Sequence, residues 1–184
     1  MKPPIFHRDL KVENVLLENK NFKICDFGSA TSEVFDPSKL GKEDQANKFE
    51  KYEKYTTLIY RPPELVEPLL KYKINEKMDI WMLGCIMYSL AYCKHPFWDC
   101  QKLAILNAYY RFPEKPQFSE KLQDLIRLLL TPNPNIRPSI FEVEQLLTQY
   151  DNLQKIPLNV ILSRMKLRQL KSSKINMLIL RVII

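Results

Sequence analysis

A mainly α-helical domain with one small β-hairpin near its start is the fold class this sequence predicts. The hairpin rests on two short apolar runs, Val15-Leu16-Leu17 and Phe22-Lys23-Ile24, joined by the polar Glu18-Asn19-Lys20-Asn21. The helical part rests on an almost wholly apolar stretch from Ile80 to Ala91, which reads as a buried helix. It rests equally on apolar residues at helical spacing between residues 119 and 150.

Between hairpin and buried helix, residues 29–55 are polar and weakly periodic. A long, mobile loop is expected there, with a helical piece near Lys42–Lys54. Pro96-Phe97-Trp98 breaks the chain after the buried helix, and a short segment follows at 103–110. Ser119 is placed to cap a helix running through Leu130, with Leu122, Leu125, Ile126 and Leu129 on one face. Thr131-Pro132-Asn133-Pro134 ends that helix. Pro138-Ser139 begins the last one. Ser139 and Glu142 have capping-box spacing, and Ile140, Val143, Leu146, Leu147 and Tyr150 form an apolar face. No internal repeat is present.

The chain's 184 residues suffice for one domain with a sizeable core. Of the net charge of +7, most lies at the C-terminus: residues 151–184 hold seven basic residues and one acidic. Residues 1–150 are nearly balanced, so the domain itself is not predicted to bind nucleic acid specifically. The cysteines at 25, 85, 93 and 100 form no C-x-x-C pair and have no histidines at zinc spacing. Reduced thiols in a cytoplasmic protein are expected. The start lacks the apolar run of a signal peptide. The apolar stretch at 80–91, about 12 residues, falls short of the ~20 that span a bilayer. The tail after Tyr150 alternates basic and apolar residues, and 177–184 is apolar but for Arg181. A packing helix, a helix for peripheral membrane association and a segment without a role all remain open for it.

The chemistry is concentrated in two strings. His7-Arg8-Asp9-Leu10-Lys11-Val12-Glu13-Asn14 matches the catalytic loop of protein kinases, and Asp26-Phe27-Gly28 matches their magnesium-binding triplet. A lone Asp or Asn in a loop is usually a turn residue, but six specified residues in eight plus a second triplet overturn that reading. Phosphoryl transfer needs an in-line nucleophile and neutralised phosphate charge. Asp9 would accept the substrate hydroxyl's proton, and Lys11 would reach the transferring phosphate. Asn14 and Asp26 offer the hard oxygen ligands that magnesium takes. His7 packs and orients the loop on this reading and is not a general base.

The resemblance to the eukaryotic protein kinase domain covers roughly residues 4–150. It implies a kinase-like C-terminal lobe with the N-terminal lobe absent, and residues 151–184 as a separate tail. Pro62-Pro63-Glu64 resembles the Ala-Pro-Glu that closes the activation segment, and Asp79-Ile80-Trp81 through Gly84 resembles the start of the central helix. The resemblance implies that Asp79 accepts hydrogen bonds from the catalytic-loop backbone and that Arg137 pairs with Glu64. Lys11 resembles the serine/threonine class, and Thr57 matches the threonine that touches the catalytic Asp and Lys there. Asp9, Lys11, Asn14, Asp26 and Thr57 are the implied catalytic set. Lys11, Glu13, Asn14, Leu16, Cys25 and Asp26 are the implied nucleotide-site residues, with Leu16 under the adenine and Cys25 in the wall. ATP and Mg2+ are the implied cofactors. Arg8 implies an activation segment that a phosphate can hold, with Thr56, Tyr55, Ser38 and Ser32 as acceptors.

A narrower resemblance is carried by Leu10-Lys11-Val12-Glu13-Asn14, by Cys25 through Thr31, by Tyr55-Thr56-Thr57 with Tyr60-Arg61, and by His95-Pro96-Phe97. Together these are similar to the Numb-associated kinases, which implies clathrin-adaptor subunits as protein substrates and a place at endocytic membranes.

A working kinase also needs a glycine-rich loop, a strand lysine and a helix glutamate. The chain has only three glycines, and six residues precede His7. The expectation is therefore a truncated serine/threonine kinase, inactive by itself and partly open, with apolar surface exposed beside the Ile80–Ala91 helix. Two other readings stand beside it: a non-catalytic kinase-derived binding module, and a small-molecule phosphotransferase, which Thr57, Pro-Pro-Glu and Arg137 argue against.

Overall fold

The computed structural model describes residues 3–18, 21–99, 101–114 and 118–149. The predicted hairpin is present. Strand β1 (Val15–Glu18) pairs antiparallel with β2 (Asn21–Ile24), Val15 opposite Ile24 and Leu17 opposite Phe22. Strand alternation sends Val15, Leu17, Phe22 and Ile24 to the core face and leaves Leu16 and Lys23 in solvent. Short 3₁₀ turns at Val12–Asn14 and Phe27–Ser29 bracket the hairpin. Among the described residues these two strands are the only sheet.

Six helices follow: α1 (Lys42–Lys54), α2 (Pro63–Val66), α3 (Lys77–Tyr92), α4 (Lys102–Leu106), α5 (Glu120–Leu129) and α6 (Ile140–Gln149). The centre is α3. It starts one turn before the apolar run because Asn75 Oδ1 accepts the Lys77 N–H at 3.0 Å. Every residue from Ile80 to Tyr88 is buried, as are Leu90 and Ala91. Helix α5 packs on it through Leu122, Leu125, Ile126 and Leu129. The two helices come close because Gly84 has no side chain: a Cβ there would lie 2.8 Å from Leu130 Cδ2 and 3.0 Å from Leu129 Cβ.

Several expectations need correction. Residues 29–55 are not a loose loop. Antiparallel bridges pair Phe6 with Thr31 and Phe35 with Ile74, and Phe35, Phe49 and Tyr52 are core residues. Three aromatic anchors in a polar window suffice to fold it down, and they leave little periodicity to read. Helix α1 itself falls where it was expected. Ser119 sits at the start of α5, but its hydroxyl makes no capping bond. At α6 the capping box is complete: Glu142 Oε2 accepts from Ser139 N at 2.6 Å, and Glu142 N donates to Ser139 Oγ at 3.3 Å. The apolar side chains of α3 from Ile80 to Tyr88 are buried. Large exposed apolar side chains lie elsewhere, among them Ile5, Leu16 and Phe27 around the two motifs. The fourth helix is shorter than the predicted 103–110 segment. Tyr150, Cys100 and the tail lie outside the described residues. Cys25, Cys85 and Cys93 are free thiols.

Candidate active site

The first string is a loop held rigid from below. Asp79, in the first turn of α3, accepts the His7 N–H at 2.6 Å and the Arg8 N–H at 3.0 Å, one on each carboxylate oxygen. These bonds fix Arg8 in the left-handed region, φ 72°, an unfavourable place for a long side chain. Burial pushes the Asp79 carboxyl up to about 6, opposed by those two backbone bonds. His7 is buried. Its Nε2 donates to Cys25 O at 2.9 Å, its Nδ1 accepts the Asp9 N–H at 3.3 Å, and its ring meets Phe27 edge-on at 5.1 Å. It therefore joins the two strings and orients them, as expected.

Asp9 is the meeting point. Its Oδ1 accepts from Thr57 N at 3.0 Å and Thr57 Oγ1 at 2.7 Å. Its Oδ2 accepts from Lys11 Nζ at 2.5 Å and, at a longer 3.5 Å, from Asn14 Nδ2. Lys11 Nζ also donates to Thr57 Oγ1 at 3.0 Å, closing a three-residue ring. A carboxylate offers about four lone-pair sites. Thr57 takes those of Oδ1, while the weak Asn14 contact leaves Oδ2 room for one more donor. A substrate hydroxyl fits that position.

Asn14 is buried, and its Nδ2 donates to Asp9 O at 2.9 Å, which turns its amide oxygen the other way. Asp26 stands in the left-handed region, φ 63°, with its carboxylate exposed and without a partner among the described residues. One amide oxygen and one unpaired carboxylate fit magnesium, which takes its remaining ligands from phosphates and water. They fall short of a protein cage: no group of three or more His, Cys, Asp or Glu side chains could hold a metal among the described residues.

An open cleft of about 310 Å³ brings together Asp9, Lys11, Asp26 and Thr57, with Ser29, Lys54, Tyr55 and Thr56 on its wall. Asn14, Glu13, Leu16 and Cys25 are not on that wall. Cys25 N instead donates to Asn14 O at 2.9 Å, Leu16 points outward from the hairpin, and Glu13 is exposed on its 3₁₀ turn. Lys54 carried no signal in the sequence. Tyr55 and Thr56 did, as members of the Tyr-Thr-Thr string, although not as cleft walls.

Glu64 and Arg137 form the expected pair, bidentate at 2.8 and 2.9 Å and almost fully buried. The other guanidinium N–H groups go to the carbonyls of Lys77, Thr131 and Pro132. Residues 2–149 match the family model described as the protein kinase domain. This chain belongs to the protein kinase family. It is 43% identical over 157 residues to a probable serine/threonine-protein kinase of Dictyostelium discoideum, covering 84% of this chain and 14% of that protein. It is 38% identical over 158 residues to actin-regulating kinase 1 of Saccharomyces cerevisiae, covering 85% of this chain and 24% of that protein. A protein kinase domain-containing protein of Schizosaccharomyces pombe is 39% identical over 161 residues, 87% of this chain and 24% of its own. This kinase chain thus spans a quarter or less of the length of these relatives. No described helix is long and apolar enough to cross a membrane.

Proposed function

We propose that the chain is the catalytic-loop half of a serine/threonine protein kinase, transferring phosphate from ATP to hydroxyls of protein substrates. The observation that carries this is the ring of Asp9, Lys11 and Thr57, closed by bonds of 2.5 to 3.0 Å. In that ring Asp9 is oriented by Thr57 and keeps an accepting position on Oδ2 for the substrate hydroxyl's proton. Lys11 places a positive charge beside that position, where the transferred group gains negative charge. Asn14 and Asp26 would hold magnesium, which when bound neutralises charge on the phosphates of ATP. Threonine beside the catalytic Asp and Lys supports serine/threonine specificity, as does the name of the Dictyostelium relative. The Numb-associated resemblance supports clathrin-adaptor subunits as substrates and a cytoplasmic protein at endocytic membranes. With three glycines in the chain, the phosphate-covering loop must be supplied from outside these residues, so the chain by itself is inactive on this reading.

The test is ATP- and Mg2+-dependent phosphate transfer by the longest product of the gene that contains these residues, run beside this chain alone. The longer product should yield phosphoserine or phosphothreonine. Asp9→Ala should lower its rate by about 10²–10⁴-fold, the usual contribution of a positioned base. Undiminished turnover in Asp9→Ala overturns the assignment. Nucleotide binding without transfer in the unaltered protein would establish the binding-module reading instead.

A further inference from the structure

Arg8 is 7% exposed, yet no carboxylate pairs with it among the described residues. Its Nε donates to the Ser29 carbonyl, at the start of the segment that joins Asp26 to Thr57. Its guanidinium carbon lies 4.7 Å from the centre of the Tyr55 ring and 5.1 Å from that of Tyr52. Both rings belong to the other end of the same segment, Tyr52 in the last turn of α1 and Tyr55 just past it. One side chain thus fastens both ends of a thirty-residue segment. Its guanidinium lies against two aromatic faces, whose attraction for a cation grows as water is removed.

Two of the expected phosphate acceptors, Thr56 and Tyr55, lie beside Arg8 in the unphosphorylated segment, while Ser32 and Ser38 stand nearer its start, Ser32 exposed and Ser38 bonded to Asp36. Thr56 is buried; its Oγ1 donates to Tyr52 O at 3.0 Å and accepts from Arg61 Nε at 2.9 Å. Tyr52 OH donates to Glu33 O at 3.0 Å. Tyr55 lays its ring on the guanidinium that would have bound the phosphate.

We propose that Tyr52 and Tyr55 are positioning residues that clamp Arg8 and order the Asp26–Thr57 segment against the catalytic loop without phosphorylation. The proposal rests on the kinase reading and deepens it. Arg8 adjoins Asp9, and Tyr55 stands two residues before Thr57, so the clamp holds the contact that gives Asp9 Oδ1 both of its donors. Tyr55 is the better probe of the two, because it is 40% exposed and its ring can be removed without opening the core.

The experiment is backbone amide hydrogen exchange on the chain shown by intact mass to carry no phosphate. Peptides covering 8–10 and 55–58 should be protected in this state. Tyr55→Phe, which keeps the ring, should match the unaltered chain. Tyr55→Ala and Arg8→Lys should each exchange about tenfold faster in those peptides, with α3 peptides unchanged. Protection that appears only after phosphorylation overturns the proposal, as does a Tyr55→Ala chain that exchanges like the original. Loss of α3 protection in Tyr55→Ala also overturns it, since the ring would then be a general stability contact. None of these readouts needs catalysis, so failure here is distinct from failure of the Asp9→Ala assay.

Discussion

Two buried arginines show how differently one side chain can be accommodated: Arg8 lies against aromatic rings, Arg137 against a carboxylate. Arg137 meets a carboxylate with two short bonds and spends its remaining N–H groups on three carbonyls. Its face also lies 5.3 Å from the Trp81 ring. Replacing such a pair with apolar groups is often tolerated, but removing one partner strands a buried charge. Arg137→Leu should therefore cost about 3–5 kcal/mol in urea unfolding. A cost under about 1 kcal/mol would mean that the Glu64 carboxylate reaches solvent. At this scale the sequence was informative where a motif implies particular contacts: Thr57 touches Asp9 and Lys11, Asp79 holds the backbone at His7 and Arg8, and Glu64 pairs with Arg137. It was uninformative where a contact joins residues with no fixed spacing. The tyrosines around Arg8 and the burial of Thr56 follow from how α1 returns to the loop, which no local pattern records.

Among elements, α3 decides the arrangement, and Gly84 decides how closely α5 approaches it. Alanine would favour the helix by about 1 kcal/mol. It would also place a Cβ 2.8 to 3.0 Å from Leu130 and Leu129, and the contact at Leu129 Cβ cannot swing away. Gly84→Ala should thus be destabilising, by about 1–3 kcal/mol for an overpacked core, read as a lower urea midpoint with an unchanged slope. A stabilised variant would show that α5 moves freely on α3. The long helices were legible because their periodicity or apolar run is sustained: α5, α6 and α3 were all predicted to within a turn. The hairpin was legible from a turn between two apolar runs. The packing of 29–41 was not, because its anchors, Phe35 above all, stand singly among polar residues.

For the whole molecule, two buried groups set opposite responses to pH. His95 Nδ1 accepts the Phe97 N–H at 3.1 Å, its Nε2 has no partner among the described residues, and burial pushes its imidazole from 6.5 down to about 4. A depressed histidine contributes stability above 6.5 that is lost as pH falls towards 4. Asp79 is the reverse. Its carboxyl is raised from 3.8 to about 6, so stability is highest below 3.8 and is lost as pH rises through 6. Each effect amounts to no more than about 3 kcal/mol, and the two offset each other between roughly pH 4 and 6. Separate variants should uncover them. His95→Asn keeps an acceptor for Phe97 and should leave stability falling from pH 4 to 6. Asp79→Asn should leave it rising over the same range. Denaturant midpoints at intervals of half a pH unit would check both, and parallel profiles would refute the assignment.

The bonds that fix the catalytic loop also bear on the order in which the chain acquires its shape. Asp79 lies 72 residues from His7, and Arg137 lies 73 from Glu64. Helices form from near neighbours in microseconds or less, whereas closing loops of this length is entropically costly and comes late. The loop around Asp9 has no local support for its left-handed Arg8 until α3 is in place. The molecule can therefore be largely helical, and look nearly native by its helix content, while its reactive centre is still unmade.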